Sequence, residues 1–413
     1  MNKKTVWILV VGILIRLLLA FSTFHSDIQP FYFAGEVISK GNILNFYDYL
    51  SELPKDSPIL SIYPTYLFNY PPMVYFFLGP ISYLLSLPFS QELMHYFIFD
   101  PSSLMGNLEL NFLLLTLKLP YLIFDIGIAV FLYRLFDDSK QRNLALSFWI
   151  LNPFNLYSTY MMGQFDIIPT FLTVLALYLA VKRKKVLLSA FFLGIGASFK
   201  IFPFLFLIPL ALLETKWWRR IVTVGVGILV YVASILPFIN SQGFRVTAFV
   251  AGQTTKSFFA AIPISRGESI ILFLFSVLFF YLIFYFKKVG FNDLWKKFFI
   301  IILLFFVFTH YHPQWFLWLV PFLIIDLVRS DLKHWPLAAL SLVSWLGLVI
   351  PFDPRLSVWL FAPIFPKLYG AMGIGERLGM PVDSDIYKSI LQTLFVSAAA
   401  YYLYFHFPRE SKA

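Results

Sequence analysis

Long apolar stretches alternate with short polar segments along almost the whole chain of 413 residues. Apolar stretches that approach twenty residues are typical of transmembrane helices, which satisfy their own backbone hydrogen bonds in lipid. Several stretches are shorter, so aromatic residues that flank them must complete the span. The pattern predicts an all-α polytopic transmembrane helical bundle of about 11–13 spans. The predicted spans are 6–24, 72–87, 112–136, 144–160, 167–181, 186–213, 221–239, 270–286, 298–309, 315–328, 336–351 and 390–407.

The composition supports this class of protein. Hydrophobic residues make up 59% of the chain and charged residues only 13%, more apolar surface than a soluble domain of this size requires. The chain has no cysteine, which excludes disulfides, thiolate metal sites and thiol catalysis. A net charge of +10 suggests nucleic acid as a partner for a soluble chain. Here the basic residues cluster between apolar segments, so we predict no nucleic-acid partner and a multi-pass protein of the cell membrane.

The basic clusters also predict an orientation. Lys3 and Lys4 place the N-terminus in the cytoplasm. Residues 24–71 then form a long first outer loop, which is acidic and carries an aromatic segment suited to an interfacial helix. We expect one integral membrane domain over residues 1–413, with the C-terminal spans of 322–413 left without an assigned role. The number of spans stays open. Both ends of 186–213 are basic, so this segment should return to the side on which it starts, and 72–111 must likewise begin and end outside.

Asp27 follows the first predicted span in the sequence His25-Ser26-Asp27-Ile28. A carboxylate at this depth lies beside lipid headgroups and still reaches water, where an enzyme acting on a lipid-linked group needs its acid or base. The alternative is that Asp27 is simply a polar residue at a helix end.

Lys118 and Asp125 both fall within the predicted span 112–136, seven residues apart and therefore on one helical face. Ionisable groups inside a span usually face the bundle and carry function. They would alternatively neutralise each other, or pair with neighbouring helices. Lys118 lies nearer the outer end and would there meet a phosphate.

Polar groups also surround a break in the fourth span. Asn152-Pro153 interrupts the backbone ladder, and Gly163-Gln164-Phe165-Asp166 follows at the surface. Amides and carboxylates such as those of Asn152, Gln164 and Asp166 are the groups that hold sugar hydroxyls. The alternative for Asp166 is a cap on the next helix.

Lys200 is a lone lysine in the middle of the apolar stretch 186–213, and Pro203 bends the chain just after it. At a bend on the outer side, Lys200 would point its ammonium at an anionic headgroup or a leaving phosphate. Snorkelling to the interface is the alternative.

A polar turn between two later spans contains His310, His312 and Gln314. The two histidines lack a carboxylate at metalloenzyme spacing, so we interpret them as hydrogen-bond donors to a phosphate or as polar caps of the turn, in preference to metal ligands. A divalent cation stays an open alternative. Arg266 belongs to an outer loop that is unusually basic for its side, which suggests anion binding.

Several short motifs follow one another in an order that resembles the GT-C superfamily of polytopic glycosyltransferases. The resemblance is strongest to the branch of GPI mannosyltransferase I and its prokaryotic mannosyltransferase-like relatives, and it holds from the first span to about Pro321. Besides the Asp27 segment, the motifs are Phe46-Tyr47-Asp48, Asn69-Tyr70-Pro71-Pro72, Lys118-Leu119-Pro120, Asn152-Pro153, Gly163-Gln164-Phe165-Asp166, Lys200-Ile201-Phe202-Pro203 and His312-Pro313-Gln314-Trp315.

The resemblance implies an enzyme that takes a sugar, preferably mannose, from a polyprenyl-phosphate donor and transfers it with inversion on the outer face. The acceptor would be a lipid, a glycan or a protein. Asp27 matches the aspartate that serves as general base or orients the acceptor, and Asp48 and Tyr70 join the substrate-binding residues. Eukaryotic relatives often have a paired acidic motif in the first loop, whereas Ser26 precedes Asp27 here, which leaves metal dependence open.

Two other classes of protein compete with a glycosyltransferase. A transporter or flippase of lipid-linked sugars would also contain broken helices and intramembrane charges, but its site would lie near the midplane, often within inverted repeats. A non-catalytic membrane subunit would leave Asp27, Asp166 and Lys200 without a chemical purpose. The need for a partner subunit is not encoded in the sequence.

Overall fold

The chain is described by a computed structural model that covers residues 3–249, 255–288, 290–380 and 385–408. Helices dominate the described residues. Their bounds are α1 Lys3–Ser22, α2 Gln29–Ser39, α3 Pro72–Ser86, α4 Gln91–Phe99, α5 Leu108–Lys118, α6 Tyr121–Leu135, α7 Ser139–Ile150, α8 Pro153–Asn155, α9 Ile167–Arg183, α10 Val186–Phe199, α11 Leu207–Ala211, α12 Trp217–Ile235, α13 Leu272–Phe286, α14 Leu294–Phe308, α15 Val320–Arg329, α16 Trp335–Phe352, α17 Ile374–Arg377 and α18 Asp385–His406.

Short helical turns and one hairpin connect these helices. The 3₁₀ turns are Ser26–Ile28, Tyr49–Glu52, Pro58–Ser61, Pro101–Leu104, Phe202–Phe206, Leu236–Phe238, Lys256–Phe258, Phe291–Asp293, Pro313–Trp318, Pro354–Leu356, Val358–Phe361 and Pro366–Leu368, and the π-helical segments are Leu156–Met161 and Phe244–Phe249. Strands β1 Ala261–Ser265 and β2 Glu268–Ile271 pair antiparallel, with Ala261 opposite Ile271. Gly267 in the turn has a φ of 99°, a left-handed conformation that favours glycine.

The predicted all-α polytopic helical bundle is confirmed. Within the described residues, two helical segments, Lys3–Ser22 and Trp217–Phe238, are long and apolar enough to cross a membrane, and the pair α5 and α6 adds a third if it forms one bent span. Five shorter apolar helical segments accompany them: Pro72–Ser86, Val186–Phe199, Phe202–Ala211, Leu272–Phe286 and Trp335–Pro351. The larger number of 11–13 spans stays a prediction.

The predicted span 112–136 is bent and not straight. Helix α5 ends at Lys118 and α6 begins at Tyr121, with an angle of 44° between them. Pro120 lies at the break, where its ring and missing N–H interrupt a helical ladder. Lys118 and Asp125 therefore do not share the face of one helix, as the spacing predicted, and each has its own partners.

Two other predicted breaks are present. Helix α10 ends at Phe199, and the chain runs extended through Lys200 before the 3₁₀ turn Phe202–Phe206. Helix α7 ends at Ile150, and after Asn152 the chain continues as α8 and the π-helical segment Leu156–Met161. Both breaks contain a proline, and π-helical segments are frequent at functional sites.

The first loop forms α2, whose aromatic residues are buried against the bundle. Gly35 in α2 meets Gly79 in α3 so closely that a Cβ atom added to Gly35 would lie 2.1 Å from the Gly79 carbonyl oxygen. Phe46, Phe68 and Tyr75 pack together behind this contact. The loop that carries Asp27 is thus fixed to the helical core.

Candidate functional site at Asp27 and Lys200

Asp27 lies in a 3₁₀ turn just beyond the end of α1, and its side chain is 41% exposed. One carboxylate oxygen accepts a hydrogen bond from the Gln164 side-chain amide. On the other side, His25 Nδ1 accepts the Asp27 backbone N–H at 3.2 Å and lies 3.5 Å from Oδ1. The carboxylate is therefore oriented by a buried amide and still open to a bound molecule.

Gly163 brings Gln164 to this position. Its φ of 69° turns the chain after the π-helical segment, and Gln164 N–H then donates to the Ser158 carbonyl at 3.0 Å. A Cβ atom at Gly163 would lie 3.2 Å from Ile28 Cδ1 and 3.4 Å from Lys118 Cε. The close packing leaves little room for a side chain next to the Asp27 turn.

Asp166, two residues after Gln164 in the sequence, belongs to a buried ion pair. Lys200 Nζ donates to Asp166 Oδ1 at 2.8 Å, and Trp318 Nε1 donates to the same oxygen at 2.6 Å. Asp166 stands at the N-cap position of α9, but its side chain makes no cap hydrogen bond. The other oxygen, Oδ2, is buried without a hydrogen-bond partner among the described residues. The carboxylate thus serves the lysine and not the helix end.

Four aromatic rings surround the Lys200 ammonium. Nζ lies 4.8 Å from the centroid of Trp315, 5.0 Å from Trp318, 5.3 Å from Phe165 and 5.6 Å from Tyr70. Rings at these distances attract a cation through their negative faces. Lys200 is buried, so snorkelling to an interface is not what the structure shows. Gln164, which donates to Asp27, is followed directly by Phe165, whose ring faces this ammonium, so one segment joins the two halves of the site.

A second basic group adjoins the site at the turn after α14. Lys256 Nζ lies 3.2 Å from His312 Nε2, and the ring of His312 lies 5.1 Å from that of Trp315. Burial, followed by the charge of Lys256, lowers the pKa of His312 to about 4. Partial burial and the charge of Lys256 also lower the pKa of the neighbouring His310. With a pKa of about 4, His312 is neutral at pH 7, and the ammonium of Lys256 lies directly beside it.

Three predicted site residues have structural partners elsewhere. Lys118 is fully buried and donates to the Thr23 carbonyl at 2.6 Å, near the end of α1. Asn152 caps α8 by accepting the Phe154 and Asn155 N–H groups. Asp48 accepts the Gly243 N–H at 2.6 Å, which ties the first loop to a later segment.

Asp125 is likewise fully buried, and its carboxylate is saturated with donors. Arg16 Nε donates at 2.5 Å, Tyr160 OH at 2.6 Å, Trp149 Nε1 at 2.7 Å and Asn155 Nδ2 at 2.9 Å. Such a network holds α1, α6 and α7 together and leaves no acceptor for a substrate.

Of the remaining predicted residues, Tyr70 and Gln314 lie close to the site and Arg266 does not contact it. Tyr70 faces Lys200, and Gln314 is buried with an amide oxygen that has no partner among the described residues. Arg266 is exposed in the β1–β2 turn. Sequence reasoning missed Trp318, although Trp315 and Trp318 are spaced by three residues, the repeat of the 3₁₀ turn Pro313–Trp318 that carries them.

These features define the class of protein: a helical membrane protein with a polar site built where several helices end. Residues 10–358 match the sequence model of the family described as GPI transamidase subunit PIG-U, and the chain belongs to this family. It is therefore a membrane protein of a GPI-related family.

Part of the chain is also similar to proteins named GPI mannosyltransferase 1. Identity is 31% over 98 residues for the protein of Kluyveromyces lactis, 25% over 119 residues for that of Eremothecium gossypii and 27% over 95 residues for that of Candida albicans. The matches cover 23%, 27% and 22% of this chain and only 24%, 30% and 24% of these relatives. The GT-C resemblance stays a prediction.

Proposed function

We propose that this protein is a membrane glycosyltransferase that moves a sugar, preferably mannose, from a polyprenyl-phosphate donor to an acceptor hydroxyl on the outer face of the membrane. The observation that carries the proposal is the Asp27 carboxylate, which is held by Gln164 at the end of the first span and remains 41% exposed. The partial similarity to GPI mannosyltransferase 1 supports the same chemistry.

In the proposed reaction Asp27 takes the proton of the acceptor hydroxyl. The acceptor oxygen forms a bond to the anomeric carbon from the face opposite the phosphate, the carbon–oxygen bond to the phosphate breaks, and the lipid phosphate leaves as an anion. Such an inverting step needs one base and a positive charge at the leaving group. It consumes no nucleotide at this site.

Lys256 suits the leaving phosphate better than Lys200 does. The charge of Lys200 is already compensated by Asp166 at 2.8 Å, whereas the contact of Lys256 is the neutral imidazole of His312. A phosphate can therefore bind Lys256 without displacing a carboxylate. We assign Lys200 and Asp166 to positioning the four aromatic rings around the Lys200 ammonium, Trp318 among them. A sugar face or a prenyl unit packs against these rings.

A second candidate is a subunit that binds a glycolipid without transferring a sugar. The family description names a transamidase subunit, and the same amide, carboxylate and aromatic groups would bind sugar hydroxyls in a non-catalytic protein. In that case Asp27 affects binding alone.

The test uses purified protein in lipid vesicles, supplied with polyprenyl-phosphate mannose labelled in the sugar and a mixed glycolipid extract. Asp27→Asn keeps the shape of the side chain and removes the base, so we expect transfer to fall by about 10²–10⁴-fold. Asp56→Asn, in the same loop and exposed, is the matched control and should transfer like the unaltered protein.

Each outcome decides between the candidates. Equal transfer by the Asp27→Asn variant removes Asp27 from the mechanism. Glycolipid binding that Asp27→Asn weakens, with no transfer by any variant, establishes the non-catalytic subunit. Label that crosses the bilayer unchanged indicates a flippase.

A further inference from the structure

Three potential metal ligands meet away from the Asp27 site. Asp326 lies in α15, His334 directly precedes α16, and His406 is the last residue of α18. All three side chains are buried, and one ligand atom from each lies within 4.8 Å of the others. Segments separated by up to 80 positions are thus brought to one point by the packing of their helices.

The contacts within this group are short and directed. His334 Nδ1 lies 2.8 Å from Asp326 Oδ2, and His406 Nε2 lies 2.6 Å from Asp326 Oδ1. A hydrogen-bonded triad, in which each imidazole donates to one oxygen, accounts for these two distances. It would serve to fasten the C-terminal helix.

Two further polar groups at the same place are not explained by the triad. The Tyr402 hydroxyl and the Trp295 indole N–H are buried without a hydrogen-bond partner among the described residues. The Tyr402 ring lies 6.0 Å from that of His334. The Trp295 ring lies 5.2 Å from that of His406. Buried donors of this kind usually have an acceptor, and the rings that carry these two donors lie against the two histidines.

We propose that Asp326, His334 and His406 bind a divalent transition-metal ion, Zn²⁺ in the first place. Two imidazoles and one carboxylate are the protein ligands of many open zinc sites, and imidazole nitrogen selects this class of metal over Mg²⁺ or Ca²⁺. A water molecule in the fourth coordination position supplies the oxygen that Tyr402 and Trp295 can bind.

The surroundings of His406 give such an ion a path to solvent. His406 also lines a cavity of about 900 Å³, together with Asp293 and with Lys287, Lys288, Lys296 and Lys297. The lysines outnumber the one carboxylate, so the cavity favours anions. This site does not depend on the glycosyltransferase proposal, since it shares no residue with the Asp27 site.

The test measures metal binding directly and requires no activity. Protein purified through a tag without histidine is loaded with Zn²⁺, dialysed and analysed by elemental mass spectrometry, and Co²⁺ loading is followed by visible absorption. We expect about one ion per chain. His334→Gln and His406→Gln should weaken binding on the order of 100-fold. His95→Gln, an exposed histidine in α4, is the control and should bind like the unaltered protein.

Metal uptake by the unaltered protein tests the proposal even if the variants do not fold. A protein that takes up neither Zn²⁺ nor Co²⁺, and whose melting temperature is the same in Zn²⁺ and in EDTA, has a hydrogen-bonded triad and no metal site. The metal site is equally refuted if the two variants retain the ion at the level of the His95→Gln control.

Discussion

At the scale of single residues, Asp125 and Arg16 form a charged pair that is completely enclosed by the bundle. Both side chains are 0% exposed, and their contacts connect α1, α6, α7 and the segment after Asn152. Arg16 also donates to the carbonyls of Gly12 and Ile150, so its guanidinium is bonded on both sides. Removal of one partner from such a pair leaves an uncompensated buried charge.

We predict that Asp125→Asn lowers the free energy of unfolding by about 3–5 kcal/mol, because Arg16 then keeps its charge without a counter-ion. The measurement is thermal unfolding in detergent, followed by intrinsic tryptophan fluorescence. Asp137→Asn is the control: its pair with Lys182 leaves the carboxylate 90% exposed, so its loss should change stability little. Equal melting temperatures for the two variants would contradict a structural role for Asp125.

His312 makes stability depend on pH. Burial lowers its pKa in the folded protein from an ordinary value of 6.5 to about 4, with the charges of Lys256, Lys200 and His310 acting in the same direction and that of Asp27 against them. Between these two pH values the unfolded chain binds a proton that the folded chain does not bind. Folded protein therefore loses stability as the pH falls from about 6.5 towards 4.

We predict that the His312→Gln variant loses about 1–2 kcal/mol less stability over this pH range than the unaltered protein, after allowance for partial exposure of the ring. The melting temperature of the unaltered protein should fall more steeply from pH 7 to pH 4.5 than that of the variant. Parallel curves over the whole range would show that His312 titrates normally.

At the scale of elements, polar residues and prolines determine where the helices stop. The extended residue Lys200 follows α10 and precedes a proline-containing turn, and Asn152 precedes Pro153 at the start of α8. Each break places a polar side chain at a depth where an unbroken helix would expose only its side surface. The chain thereby builds a polar site from segments that are otherwise apolar.

The contact between α2 and α3 depends on two glycines. We predict that Gly35→Ala lowers the free energy of unfolding by about 1–3 kcal/mol, because the added methyl group would lie 2.1 Å from the Gly79 carbonyl oxygen and force the helices apart. Gly225→Ala, in α12, meets no atom within 4 Å and should be neutral or stabilising by up to about 1 kcal/mol.

Thermal unfolding of both variants under one set of conditions checks this prediction. The separation of the helices should also reduce transfer activity if the Asp27 turn moves with α2. A Gly35→Ala protein as stable as Gly225→Ala would mean that α2 and α3 are not in close contact.

At the scale of the whole molecule, the distribution of charge predicts which ends of the helices face the cytoplasm. Lys182 and Arg183 end α9 and Lys184 and Lys185 follow it directly, whereas the loop that contains Asp27 is acidic. The candidate metal site adjoins another basic group, at the end of α13. We therefore expect the two sites on opposite sides of the membrane.

The absence of native cysteine allows a direct test of this arrangement. We predict that Lys55→Cys, in the first loop, reacts with a membrane-impermeant maleimide added outside sealed cells, and that Lys185→Cys reacts only after permeabilisation. Both positions are exposed, so accessibility within the fold is matched. Labelling of Lys185→Cys in sealed cells would reverse the orientation and place Asp27 in the cytoplasm.

Much of the architecture could be predicted from the sequence because it depends on local chemistry. Apolar stretches of helical length indicate a membrane bundle, and prolines beside Asn152 and Lys200 indicate where helices break. The bend at Pro120 could have been predicted by the same rule. The sequence also indicated that Asp27 and Gln164 are polar groups of similar depth, but not that they touch.

Local sequence chemistry is thus enough to specify the helical class, the positions of the breaks and the choice of polar residues. Which of those residues meet depends on the packing of the whole chain: Asp27 with Gln164 across 137 positions, Arg16 with Asp125 across 109, and Asp166 with Trp318 across 152. The physical reason is that a buried charge needs some partner, whereas the partner it obtains depends on how the helices pack. That packing arises from many weak apolar contacts distributed over the whole chain, and no short motif encodes it.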